Sequence, residues 1–156
     1  MRLHHHIALS GIVAAASYLV GAPPRLAVAA FVTGFMLDVD HLADYWREYP
    51  TSLDVRHFFK TCEEYRLRKV YLWLHSIELL ALMLLLAAVM RNAWVYGIAL
   101  GWFQHLLFDY IGNDVHTKSY FFSYRWSKGF ANEKIFDIPH EYRQNAEQTH
   151  GNKAST

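Results

Sequence analysis

Four long apolar runs alternate with polar connections along this chain, at roughly residues 3–21, 26–42, 70–90 and 93–111. Each is close to the ~17–25 residues that a helix needs to cross a bilayer. The third run, containing YLWLHSIELLALMLLLAAVM, offers no polar stripe at helical spacing that could face water. The pattern predicts an all-α, integral-membrane four-helix bundle, against the alternative of a soluble bundle buried on nearly every side. The first run, MRLHHHIALSGIVAAASYLVGAPP, has the basic start and apolar middle of a secretory signal. Its apolar part is longer than a signal core and comparable segments follow, so it reads as a retained first span.

The connections carry their own pattern. Between the second and third runs, DVRHFFKTCEEYRLRKV places Val55, Phe58, Phe59, Cys62 and Tyr65 on one helical face, with Arg56, Lys60, Arg66, Arg68 and Lys69 supplying charge. This is expected to be an interfacial helix on anionic headgroups, or else an amphipathic lid packed on the bundle. The predicted organisation is a bundle over 1–111 that includes the 43–69 connection, an aromatic and basic segment over 112–143, and a polar, disordered tail over 144–156. In the middle segment Tyr120, Phe121, Phe122, Tyr124, Trp126 and Phe130 are expected at the membrane surface, the layer that Trp and Tyr favour.

Charge adds an orientation. The net charge of +1 on 156 residues hides a polarised molecule. With four spans, the amino terminus, the 43–69 connection and the tail share one side, which holds Arg2, Arg47, Arg56, Lys60, Arg66, Arg68, Lys69 and the later cations. The opposite side has only Arg25 and Arg91. The positive-inside bias therefore places both termini in the cytoplasm. The single cysteine, Cys62, rules out an intramolecular disulfide and speaks against a thiolate zinc site. The chain shows no internal repeat, phosphate-binding glycine loop or nucleophile elbow, and nucleic acid is not an expected partner.

The unusual polar residues all fall at that cytoplasmic end: His4, His5 and His6 open the first run, Asp38, Asp40, His41 and Asp44 close the second, His75 and Glu78 open the third, His105 and Asp109 close the fourth. Ionisable groups inside a span cost several kcal/mol each and face a partner in the bundle interior. Asp38, Asp40 and Asp109 also lie near expected helix carboxyl ends, where the backbone is already partly negative. A divalent cation relieves both problems. The spacings agree, since His105 and Asp109 are four apart while Asp38–His41 and His75–Glu78 are three apart, each pair sharing a helix face. His6 and His75 sit at helix amino ends, where the dipole favours the neutral imidazole a metal requires.

His6, nearest the apolar run, is the expected ligand of its trio, with His4 and His5 solvated. Glu78 is a ligand or a support for His75, and Asp114 and His116 are candidates to complete the shell. Alternatives remain for the parts and the whole: His41 or Asp44 as interfacial residues in water, and the set as a hydrogen-bond network without metal. Imidazole with carboxylate and no thiolate suits zinc, with Mn2+ or Fe2+ also compatible. The Glu-x-x-His pairs of diiron bundles are absent from the runs, so zinc, as one ion or more, is preferred. Arg125 with Lys118 or Lys128 could receive a phosphate, or be ordinary positive-inside charge.

GFMLDVDH, LHSIE and GWFQHLLFDYIGN, together with His6 followed by IALSG, resemble the membrane-bound metal-dependent hydrolase family of bacterial inner membranes. The resemblance covers roughly residues 1–130 in the same order. Leu37 stands where that family often has proline, and VYLWLHS replaces a segment that often carries His-Arg-Gly. The family is in turn similar to zinc phospholipases C and single-strand-specific zinc nucleases, helical enzymes that cleave phosphoesters with clustered zinc ions. The resemblance implies that His6, Asp38, Asp40, His41, His75, His105 and Asp109 are metal ligands or their immediate supports.

The expectation is an inner-membrane, metal-dependent hydrolase whose bound water attacks a lipid-derived or other amphiphilic phosphoester, with Asp40 or Glu78 taking the proton. Two other classes compete with it: a membrane binding or assembly subunit with a structural ion or bare polar network, and a redox bundle with iron.

Overall fold

The computed structural model describes residues 3–113, 115–138 and 142. The expected disordered tail at 144–156 and the candidate ligand Asp114 lie outside them. Among the described residues the fold is all-α: α1 (Leu3–Leu19), α2 (Pro24–Met36), α3 (Val39–Glu48), α4 (Val55–Glu63), α5 (Ile77–Met90), α6 (Ala93–Gly112), α7 (Phe122–Ser127) and α8 (Asn132–Ile135), with a 3₁₀ turn at Thr117–Tyr120. An isolated antiparallel bridge between Lys69 and Ala131 joins the two long connections.

Local chemistry sets the helix ends. After α1 the chain turns at Gly21, whose φ of 92° suits a residue without a side chain. Pro24 then starts α2 at a position where no amide hydrogen is needed. Arg91 closes α5 in the left-handed conformation, and Asn92 opens α6 by accepting from the Trp94 amide at 2.8 Å. Asp54 caps α4 through the His57 amide at 3.0 Å. The Tyr45 hydroxyl then ties α3 to α4 by meeting Ser52 Oγ at 2.6 Å and His57 Nδ1 at 2.7 Å.

The tightest seam runs between α2 and α6. A Cβ on Gly97 would collide with the Leu26 carbonyl, and one on Gly101 with the Ala30 carbonyl. Small residues four apart thus let two backbones touch, the usual device of membrane helix pairs. α1 packs on α2 and reaches α6, where Gln104 Nε2 donates to Ser10 Oγ at 2.6 Å. α5 packs on α6 through Leu80 and Leu106, with Tyr120 from the 3₁₀ turn completing that cluster. Tyr120 is therefore a core residue at 6% exposure and not a surface aromatic as expected.

Two expected helices differ. The second run is interrupted at Leu37–Asp38, where both residues keep right-handed helical dihedrals while the Asp40 and His41 amides bond back only three residues, so Asp40 lies in the first turn of α3. Asp40 is thus followed by further helix to Glu48 and does not stand at the carboxyl end inferred from sequence. The third run becomes helical only at Ile77, because residues 70–76 are held in an irregular path by side chains from elsewhere. One helical run, Pro24–Glu48 at mean hydropathy 1.5, is long and apolar enough to cross a membrane. α1 has 17 residues and α5 has 14, so α5 is only about 21 Å long at 1.5 Å per residue.

Candidate metal centre

At one end of the seam, five parts of the chain bring imidazole and carboxylate groups together. α1 supplies His6, the α2–α3 junction Asp38, α3 Asp40 and His41, the irregular 70–76 segment His75, and α6 His105 and Asp109. His6, Asp40, His75, His105 and Asp109 are at most 5% exposed, whereas His41 and Asp38 are only partly covered.

Hydrogen bonds on the outer side of the histidines decide what their inner sides offer. His105 Nδ1 lies 2.6 Å from the Gly34 carbonyl, which can only accept, so Nδ1 carries the proton and the neutral ring leaves Nε2 as a lone pair. His75 Nδ1 lies 3.3 Å from Asp40 Oδ2, with the same result. These two Nε2 atoms face each other at 3.1 Å. Asp38 Oδ1 stands 3.7 Å from His75 Nε2 and 3.5 Å from His105 Nε2. Asp109 Oδ2 stands 3.5 and 3.4 Å from the same two atoms. With both rings neutral, four acceptors converge with no hydrogen among them. A tetrahedral ion with bonds of about 2.0–2.1 Å needs ligand atoms roughly 3.3–3.4 Å apart, and the five separations bracket that value.

The flanking histidines extend the set. His6 Nε2 meets the other Asp109 oxygen, Oδ1, at 3.1 Å, and its ring stacks on His105 at 4.0 Å. The His41 ring lies 5.0 Å from that of His75. Ligand atoms of His6, Asp38, His105 and Asp109 all fall within 4.8 Å of one another, as do those of Asp38, His41 and His75. The two groups share Asp38, whose side chain is 23% exposed and marks the open side of the centre. This donor set can hold a metal ion.

Several expected roles change. Asp40 Oδ2 accepts from the Leu74 amide at 2.6 Å as well as facing the His75 ring, which makes Asp40 the support behind His75. Glu78 stands outside the cluster, because both its oxygens are occupied: Oε2 accepts from Ser76 Oγ and the Phe122 amide, each at 2.8 Å, and Oε1 from the Ser123 amide and hydroxyl at 2.9 and 2.8 Å. It therefore docks α7 and is not placed to take a proton at the centre. Asp44 accepts from the Tyr71 and Leu72 amides at 2.6 and 3.0 Å and from Arg47 at 2.9 Å, which removes it from both the ligand and the interfacial readings.

The cations also depart from expectation. Arg125 is 0% exposed and donates to backbone carbonyls of Tyr71, Leu72, His75 and Ser119, so its guanidinium is not available to a phosphate. Burial pushes its pKa down, and the charges of Asp40, Glu78 and Asp44 oppose that shift. Lys118 and Lys128 are exposed, with the Lys128 ammonium 5.5 Å from the Tyr124 ring centre. His116, also exposed, accepts from the Lys118 amide at 3.0 Å and caps the 3₁₀ turn. His4 and His5 are exposed as expected.

Two contributors escaped the sequence reading. The Gly34 carbonyl orients His105, and its signal was the glycine that opens GFMLDVDH. Trp102, whose Nε1 donates to the Leu74 carbonyl at 2.8 Å, had no local signal.

Comparison with family models, with curated proteins and with solved structures returns no match for this chain. The centre is therefore read from its own geometry.

Proposed function

We propose that this protein is a membrane-embedded, metal-dependent hydrolase acting on a phosphoester, lipid-derived or otherwise amphiphilic, at the cytoplasmic face of a bacterial inner membrane. The observation that carries the reading is the convergence of His75 Nε2, His105 Nε2, Asp38 Oδ1 and Asp109 Oδ2, with the Nδ1 of each ring facing an acceptor on the far side from the meeting point. The motif resemblance points to the same chemistry. Zinc suits this donor set best, with manganese and ferrous iron next. When bound, such an ion lowers the pKa of a coordinated water and polarises a phosphoryl oxygen. The chain's own part is to fix the donors: Asp40 and the Gly34 carbonyl hold the two rings, His6 holds Asp109, and Asp38 with His41 forms the side open to substrate.

The membrane setting is supported by surfaces that water would not stabilise. α5 leaves Leu82, Leu84, Leu85, Leu86, Val89 and Met90 exposed, a continuous apolar face. Exposed Trp46, Trp73 and Trp126 lie in elements around the metal end, and Tyr18, Trp94 and Tyr96 near the other, as two interfacial belts would. The irregular 70–76 backbone fits this setting, because the amides of Tyr71, Leu72 and Leu74 and the carbonyls of Tyr71, Leu72, Leu74 and His75 are met by side chains.

The decisive measurement is elemental analysis of detergent-purified protein together with phosphodiester hydrolysis. Asp38→Ala and His105→Ala are expected to lose metal and activity together; stoichiometric metal in both variants would overturn the assignment. A second reading, a structural ion in a non-catalytic assembly subunit, is favoured by the completeness of the four-donor shell. Fully metal-loaded protein inert toward phosphomonoesters and phosphodiesters alike, in micelles and in vesicles, would select it.

A further inference from the structure

His75 is the one central donor carried by a stretch of irregular backbone and not by a helix or a helix junction, and its segment has few bonds of its own. The Tyr71 and Leu72 amides go to Asp44, and the Leu74 amide goes to Asp40. The Leu74 carbonyl takes the Trp102 indole. The carbonyls of Tyr71, Leu72 and His75 all take Arg125, at 3.0, 2.8 and 3.0 Å. Leu72 is held at φ 46°, a left-handed conformation unfavourable for leucine that persists only where surroundings impose it. Arg125 in turn rides on α7, whose first amides are fixed by Glu78, three residues beyond His75 in the chain.

We infer that Arg125 is a positioning residue for the metal centre: its buried guanidinium, seated through Glu78, sets the backbone of 71–75 and thereby the direction of His75 Nε2. This rests on the metal reading above. The planar fork reaches carbonyls in several directions at once, which a lysine ammonium at the same depth cannot do. Supports behind ligating histidines typically govern metal affinity by about 10–100-fold.

The test uses the full chain in detergent, loaded with Co2+ as a spectroscopic probe, with a competing chelator for affinity and thermal melting of the metal-free protein in parallel. Arg125→Ala is expected to weaken cobalt binding at least about tenfold and to alter the visible band. Added methylguanidinium should restore both, and Arg125→Lys should fall between. Should Arg125→Ala not accumulate folded, Arg125→Lys and Glu78→Gln carry the test, with weaker binding and an altered band in each. Wild-type affinity and an unchanged band in the variants, even at a lower melting temperature, would overturn the inference. A wild-type protein that takes up no cobalt would instead overturn the metal reading, and this inference with it.

Discussion

The two halves of α6 are built on opposite principles. In its first half Gly97 and Gly101 have no side chains, and the helix meets α2 backbone to backbone. In its second half Gln104, His105 and Asp109 reach outward, and α6 meets its neighbours through hydrogen bonds to Ser10, the Gly34 carbonyl and His6. The first half needs no polar specificity because shape alone admits one fit. The second half needs distances good to a few tenths of an ångström, and the glycine seam supplies the register for them. Interface and centre are one rod seen at two ends.

The comparison can be broken most severely from the glycine side. Gly101→Leu drives a side chain into the Ala30 carbonyl and is expected to destabilise by about 4 kcal/mol or more, read as loss of monodisperse protein on size exclusion and of metal with it. From the other end, Asp109→Asn should leave helix content and melting temperature close to wild type while metal falls below stoichiometric, since it removes charge but little volume. If both substitutions lose fold and metal alike, the halves are not separable as described.

Smaller changes sharpen the contrast. Ser10→Ala leaves Gln104 Nε2 without its partner and should cost about 1–3 kcal/mol, whereas Ser10→Ala with Gln104→Leu should recover most of it. Denaturation midpoints of the single and double variants decide this. The least effect concerns Cys62, on α4 and away from the seam. Burial, with the charges of Asp44, Asp38 and Glu63, pushes its thiol up to about 12. Only the thiolate reacts, so alkylation at pH 8 should be far slower in folded than in urea-unfolded protein; equal rates would show α4 to be undocked.

Much of this arrangement was legible in the residues themselves. Apolar runs located α1, α2, α5 and α6, and the spacing of His105 and Asp109 put both on one face of α6, where the structure has them. The interruption at Leu37–Asp38 was not legible, because neither residue is a helix breaker. Nor was the non-helical path of 70–76, whose apolar residues read as helix; its geometry comes from Asp40, Asp44, Trp102 and Arg125, all distant in the chain. Glu78 looked like a ligand for the same reason. Helical spacing placed it beside His75, and only the docking of α7 on its two oxygens shows where it is engaged.

Arg125 lies far along the chain, some fifty residues after the histidine whose carbonyl it holds. The residue that seats His75 is thus made after every segment that supplies a donor to the centre. On the metal reading proposed above, the centre would take its final geometry only once α7 has been made.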